Sequence, residues 1–314
     1  MTPAVIIGVG GFGCSIAAGV RERLTEFARA RQNPEHHLQE LERQVRFVAI
    51  DTNRFSSAMK NFTQAEQMVF SPPSPDALIQ QRQGLLKEWW PDHIQAVGPF
   101  VTGAGGMRAK SRLAYFLHGD AVSSKVQQLV SQIRASSVAN MGSFTGSAGQ
   151  MVYVYLVGSL SGGPGSGMLL TAAMHLRNEL DNDVRTIGVI PLPGIMQLGP
   201  GSAQQDMVYA NCAAGLRELD WWMTPPNKRI ATISPFFKAG LQEIPDRMTG
   251  GRRAEPFDLC YLFGAQNRLG KPLADYDSYI DLIADCVAGD LDSPASFGAQ
   301  SLISNVLGAM DLAP

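Results

Sequence analysis

Nowhere in the 314 residues is there an uninterrupted apolar run of about 20, the length a membrane-spanning helix needs, so the sequence predicts a soluble chain with no membrane insertion. Cysteine is scarce: Cys14, Cys212, Cys260 and Cys286 are scattered without C-x-x-C spacing, which argues against a zinc motif or disulfide framework and for a reduced, cytoplasmic setting. Charge of either sign is in short supply. At 17% charged residues and a net charge of −2 there is no electrostatic footprint for nucleic acid or an anionic membrane. The first apolar run, Val5 to Val9, is too short for a signal peptide and has no basic residues before it. No internal repeat is present. What remains is a chain that is 45% hydrophobic, long enough for one large α/β domain or two smaller ones.

The stretch that organises the chain is MVYVYLVGSLSGGPGSGMLL, residues 151–170. Met151 to Val157 is β-branched and aromatic without polar alternation, which suits a strand buried on both faces of a parallel sheet. Ser161-Gly162-Gly163-Pro164-Gly165-Ser166-Gly167 then has little side-chain bulk, so backbone N–H groups can approach an anion where the next helix starts, with Ser159, Ser161 and Ser166 offering hydroxyls. The alternative is a plain turn between strand and helix.

Two more glycine loops follow the same grammar. Ala4 to Val9 reads as a buried strand leading through Gly10-Gly11-Phe12-Gly13 into a helix from about Ser15 to Arg31, and Gly8, Gly10 and Gly13 satisfy G-x-G-x-x-G. Thr102-Gly103-Ala104-Gly105-Gly106-Met107-Arg108 precedes a helix at Ala109–Leu117, with Arg108 and Lys110 placed to meet an anion or else simply solvated. Between these, 33–44 reads as a polar, exposed bridge. Val45 to Ile50 is a second strand with Asp51-Thr52-Asn53 at its C-terminal end, where open α/β sheets bind ligands. Asp51 lies 38 residues after Gly13 rather than about 20, which counts against recognition of a dinucleotide ribose. It is otherwise a turn-initiating residue.

Further strands are expected at 186–191 and 257–263, and helices at 76–90, 123–135, 204–222 and from Tyr276 towards Met310. Segments 55–100 and 224–256 read as insertions. Trp89-Trp90 reads as a core or lid anchor and His175 as a surface or packing residue. The order predicts an α/β fold, a doubly wound parallel sheet: a nucleotide-binding domain over 1–275, then a long helix and the start of a further region over 276–314.

With SGGPGSG, GVGGFG at 8–13, FVAIDTN at 47–53, GAGG at 103–106, TIGVIPLP at 186–193 and Arg177-Asn178-Glu179 in hand, the chain resembles the tubulin/FtsZ superfamily, whose signatures are GGGTGSG, GVGGGGG and FIAINTD. The resemblance implies GTP or GDP with Mg²⁺ across the strand ends. Gly10, Gly11, Phe12 and Gly13 would hold the α/β-phosphates, with Cys14 and Ser15 beneath; Gly103, Ala104, Gly105 and Gly106 would face the γ-phosphate. Ser161, Gly162, Gly163, Pro164, Gly165, Ser166 and Gly167 would face the β-phosphate, and Asp51 would position the metal. Asn267 would read guanine, Asn211 would be a second base or ribose contact, and Tyr276 or Tyr279 would stack on the base.

Two departures stand out. Pro164 replaces the signature threonine and removes one donor from the cradle. The family's acidic catalytic loop, which completes the site of a neighbouring subunit, has at most a faint counterpart in Asp311, near-matching NLDFA. The resemblance therefore implies a GTPase dependent on head-to-tail self-association, or on a related tubulin-like subunit. The alternatives are a GTP-binding scaffold that does not hydrolyse and acts through protein partners, and an NAD(P)-dependent oxidoreductase using the first loop alone.

Overall fold

The computed structural model of the chain describes residues 1–72, 74–81, 90, 94, 96–100, 103–138, 151–194, 205–224, 255–266, 270, 271, 273 and 275–292. Six strands form one sheet: β1 (Ala4–Val9), β2 (Val45–Asp51), β3 (Gln67–Val69), β4 (Val152–Val157), β5 (Val184–Pro191) and β6 (Leu259–Phe263). All neighbours pair in parallel, in the order β3-β2-β1-β4-β5-β6. Alternate residues of the central strands enter opposite layers, as strand geometry requires. Val5, Ile7, Val48 and Ile50 pack under α4 (Arg108–Val138) and α5 (Gly163–Glu179), with α6 (Gln205–Met223) beyond. Ile6, Phe47 and Ala49 pack under α1 (Gly10–Ala30) and α7 (Tyr276–Asp292). Helices thus cover both faces, which is why the strands read as continuous apolar runs.

Helices α1 and α7 lie close because Gly19 has no side chain; a Cβ there would stand 3.0 Å from Cβ of Ala284. Arg23 pairs with Asp285 at 2.7 Å and Arg31 with Asp292 at 2.9 Å along the same seam. These half-exposed pairs align the helices more than they stabilise them.

Three sequence expectations change. The exposed bridge at 33–44 is a helix, α2 (Pro34–Gln44), which buries only Leu41 and has just two leucines, Leu38 and Leu41, to mark its inner face. The helices expected at 109–117 and 123–135 are one, α4, running straight through Gly119. That glycine is where α4 meets α5: a Cβ would come within 3.0 Å of Tyr115 and 3.2 Å of His175. His175 is indeed a packing residue, its Nδ1 3.1 Å from the Tyr115 hydroxyl. Within the expected insertion at 55–100 lie a short 3-10 turn (Ser57–Asn61) and the edge strand β3, followed by α3 (Pro75–Gln81). Trp90 is partly buried against Ile79 and Leu113. Among the described residues no helix is long and apolar enough to cross a membrane.

Candidate functional site

The strand order reverses direction of travel between β1 and β4, and in open α/β sheets the crevice outside the carboxyl ends at such a switch point takes the ligand. Here β1 ends at Val9 and β4 at Val157, each followed at once by glycines. The glycines divide into two kinds. Gly8, Gly13, Gly165 and Gly167 are packing positions: a Cβ would lie 2.7 Å from Gly13 O, 2.1 Å from Val157 O, 1.9 Å from Ser159 O and 2.3 Å from Arg108 O respectively. Gly162 and Gly105, by contrast, face open space, with nothing within 4 Å of an added Cβ. Gly10 takes φ +74, and its missing Cβ leaves room for the Pro164 ring.

Helix α5 begins at Gly163, so much of the stretch read as a loop is the helix's first turn. That turn leaves backbone N–H groups without intrahelical partners. They belong to Gly162, Gly163 and Gly165, since Pro164 has none and the Ser166 N–H already donates to Gly162 O at 3.0 Å. Neither α1 nor α5 has a side-chain cap, and neither carries an acid in its first turn. Helix α4, which follows the third glycine loop, also starts without an acid. The other helices begin with Glu35, Asp76, Asp206 or Asp277. Acidic residues normally settle at helix N-termini because of the macrodipole, so their absence at these three starts leaves a positive field open to an anion.

The serines sort themselves by geometry. Ser166 Oγ donates to Gly162 O, and Ser159 Oγ donates to Pro191 O at 3.4 Å while accepting from the Ser161 N–H at 3.2 Å. Both are engaged within the protein. The Ser161 hydroxyl is buried, with the weakly polar Cys212 thiol as its partner. Sulfur is a weak hydrogen-bond partner, so a ligand oxygen at this place would make a stronger bond.

The loop at 103–106 is tied to its neighbours by backbone and side chain. The Ala104 N–H donates to Thr52 Oγ1 at 3.0 Å, and Gly103, Gly105 and Gly106 take φ +84, +59 and +79. Asn211 on α6 donates through Nδ2 to Gly106 O at 2.9 Å and to Ser161 O at 3.1 Å. Its amide hydrogens are therefore used in clamping two loops together rather than offered to a base or ribose as the resemblance implied. Arg108 does not face the open space either: it bonds Ser166 O and pairs with Glu218, beside the buried Arg112. Burial pushes the Glu218 carboxyl up against the pull of those arginines, and pushes Arg112 down to about 10. Lys110 donates to Val97 O and Pro99 O, both at 3.0 Å. The two basic residues, read as meeting an anion or else as solvated, thus both donate to backbone carbonyls of neighbouring segments.

Asp51 ends β2, 4% exposed. Its Oδ1 accepts from the N–H groups of Thr52 at 2.7 Å and Asn53 at 3.1 Å. Burial pushes its carboxyl above the usual carboxylate range; these N–H groups and the Ser56 hydroxyl offset only part of that. The other oxygen, Oδ2, would stand 3.9 Å from a Cβ on Gly11 and so faces the first glycine loop. The long spacing from Gly13 is explained by α2, which occupies the interval, so spacing no longer speaks against a dinucleotide.

The side chain of Cys14 lies in the core, fully buried, donating to Gly8 O at 3.4 Å with its thiol pushed up by burial. It cannot touch a ligand through its side chain. Tyr279 is likewise fully buried among α1 and α7 side chains and cannot stack on a base. Tyr276 is half-buried at the start of α7, its ring 5.1 Å from that of Phe12 in edge contact. Asn267 and Asp311 lie outside the described residues. The Thr52 contact with Ala104 and the Glu218 pairing with Arg108 were missed by sequence reasoning, because nothing local to those residues announces a partner so far along the chain; the Ser56 hydroxyl, which bonds the nearby Asp51, was missed as well.

A family model described as "Tubulin like" matches residues 5–313. Among solved structures, similarity extends to CetZ2 from Haloferax volcanii as a GTPgS-bound protofilament, at 16% identity and TM-score 0.49, covering 96% of this chain and 64% of that one. CetZ from Methanosaeta thermophila follows at 15% and 0.47 (94% and 56%), and an empty FtsZ dimer from M. jannaschii at 13% and 0.40 (93% and 55%). The chain therefore spans between 55% and 64% of the length of these structures. No curated protein matches it in sequence.

Proposed function

The chain belongs to the tubulin-like family, and from that premise we propose that it binds a guanine nucleotide, GTP or GDP, with its phosphates at the starts of α1 and α5. The observation that carries this reading is the pair of adjacent helix N-termini at the switch point, both without caps and without acids. The donors are the N–H groups of Gly11, Gly162, Gly163 and Gly165. The Ser161 hydroxyl supplies a further polar group at the same place, and Gly105 and Gly106 border the position of a terminal phosphate. Tyr276 is the aromatic residue placed to border the base, and Asn267 is the residue proposed to read guanine.

Asp51 fits a divalent cation: it is a buried carboxylate, destabilised in its charged form, with one oxygen directed towards the phosphate loop. Bound there, Mg²⁺ would neutralise phosphate charge. The chain's own residues hold and orient the phosphates, and the helix starts favour negative charge. The acid that orients an attacking water is proposed to come from a neighbouring subunit, with Asp311 as the candidate. Such head-to-tail contacts generate open filaments.

Pro164 favours a second reading, a nucleotide-gated scaffold that does not hydrolyse and works through protein partners. The sheet order and Asp51 are also compatible with a dinucleotide, although that reading leaves the starts of α4 and α5 without a role. Mixing the purified chain with GTP, GDP, ATP or NADH while following melting temperature, phosphate release and light scattering separates the three. Guanine-specific stabilisation with turnover rising faster than linearly in protein supports the GTPase; stabilisation without turnover or scattering supports the scaffold. No stabilisation by GTP or GDP sinks both.

A further inference from the structure

We propose that His36, His37 and Glu40 on α2 form a binding site for a divalent transition cation of the zinc class, at the opposite end of the sheet from the glycine loops. Helix α2 runs into the start of β2, so these residues stand beside the N-terminal edge of the strands. At about 100° per residue on a helix, positions 36, 37 and 40 fall within an arc of about 100°, with Glu40 between the two histidines and one turn on. One ligand atom from each residue lies within 4.8 Å of the other two. Zinc bonds of about 2.0–2.2 Å call for ligand atoms roughly 3.4 Å apart, a contraction that rotation of the exposed His36 can supply.

Two details distinguish this cluster from an ordinary polar face. The Nδ1 atom of His37 is shielded from solvent and faces Glu40 Oε2 at 3.4 Å, its one side-chain partner among the described residues. A cation entering between that nitrogen and the carboxylate would take both as ligands. Glu40 is also already oriented, because its other oxygen, Oε1, is held by the Met1 ammonium at 2.8 Å. Outer contacts of this kind fix a ligand's direction and leave the second oxygen available. Two imidazoles and one carboxylate suit zinc, nickel or copper rather than magnesium or calcium, and leave a fourth position to water. A bound ion would tie the chain start, α2 and the entry to β2 together, far from any nucleotide.

The test uses the full chain without a histidine tag, titrated with Zn²⁺ by calorimetry, and with Co²⁺ to read its visible absorption. One Zn²⁺ per chain is expected to bind, with a Co²⁺ spectrum of low coordination number and no response to Mg²⁺. His36→Ala and His37→Ala, both at partly exposed positions and so expected to fold, should each weaken Zn²⁺ binding roughly tenfold or more. Glu40→Gln should do the same, with circular dichroism to confirm that loss of the Met1 contact has not unfolded α2. Absence of saturable Zn²⁺ binding to the unaltered chain overturns the proposal, as does wild-type affinity in the two histidine variants, which would place any bound ion elsewhere, such as at the exposed Cys286.

Discussion

The two ends of the sheet are built by opposite rules. At the carboxyl end, around Gly10, Gly105 and Gly162, helices begin without caps or acids, a buried serine hydroxyl is paired with a thiol, and a carboxylate is held above its usual range. At the amino end the charges are paired. Asp258, just before β6, accepts from both Arg177 and the Thr186 N–H, with Arg185 at 3.5 Å. Arg134 grips Asp181 with both terminal nitrogens at 2.6 and 2.9 Å, and the Thr2 N–H donates to Leu291 O at 2.9 Å. Unpaired donors cost folding free energy, and their collection at one end is what the proposed anion would relieve, while the other end holds the layers together.

The largest effect that can break this contrast lies at the paired end. Arg177→Ala removes the nearest cation from the buried Asp258, leaving Arg185 and the Thr186 N–H, and is expected to lower stability by about 3 kcal/mol in urea unfolding, with the increment from added nucleotide unchanged. A matching loss of nucleotide binding in still-folded protein would show that the two ends are not separable. Next in size, Pro164→Thr restores one donor to the phosphate cradle and is expected to tighten GTP binding by about 1.5–3 kcal/mol, read by equilibrium titration. Unchanged affinity would make Pro164 a packing residue against Gly10 only. Gly165→Ala, whose methyl would meet Ser159 O, is expected to cost about 1–3 kcal/mol of stability by overpacking and to weaken nucleotide binding as well.

Acid titration sharpens the same comparison. Burial alone would raise the Asp258 carboxyl, but the Arg177 guanidinium and the Thr186 N–H draw it below its ordinary value. Its stabilisation is present at neutral pH and is lost as pH falls through the folded value, below the ordinary carboxylate pKa of about 3.9. Asp258→Asn should flatten that acid limb. Asp51 has the reverse sign: its folded value is raised, so ionising it as pH climbs past the ordinary value costs stability when no cation is present. Asp51→Asn should therefore raise nucleotide-free stability at neutral pH and remove any Mg²⁺ dependence of GTP binding.

How legible each part was follows from how local its signal is. Strands β1, β2, β4 and β5 were readable because burial on both faces leaves uninterrupted apolar runs, and the three glycine loops were readable because close packing and backbone donors require glycine at fixed places. Helix α2 escaped because it buries one leucine. The continuity of α4 across 118–122 escaped as well, since a glycine needed for contact between helices, as Gly119 is, looks the same in sequence as one needed for a turn. The division of the 161–167 stretch was hidden as well: only the fold shows that Gly165 and Gly167 serve packing while Gly162 borders open space. The clamp made by the Asn211 amide hydrogens was hidden since its partners, Gly106 and Ser161, are distant in the chain.

The most direct test of the contrast is Gly162→Asp. The backbone there, φ −82 and ψ 174, already suits a capping residue, and an added Cβ meets nothing within 4 Å. A carboxylate at that position would cap α5 itself, holding or raising nucleotide-free stability by a few tenths of a kcal/mol, while occupying and repelling the phosphate position. At a GTP concentration about 100 times the dissociation constant the unaltered chain should gain about 2.7 kcal/mol, seen as a rise in melting temperature. The expected result is a Gly162→Asp protein that melts at or above the unaltered one without nucleotide and gains nothing from GTP. A variant that keeps the full GTP-dependent rise would contradict the assignment of the anion site to the start of α5.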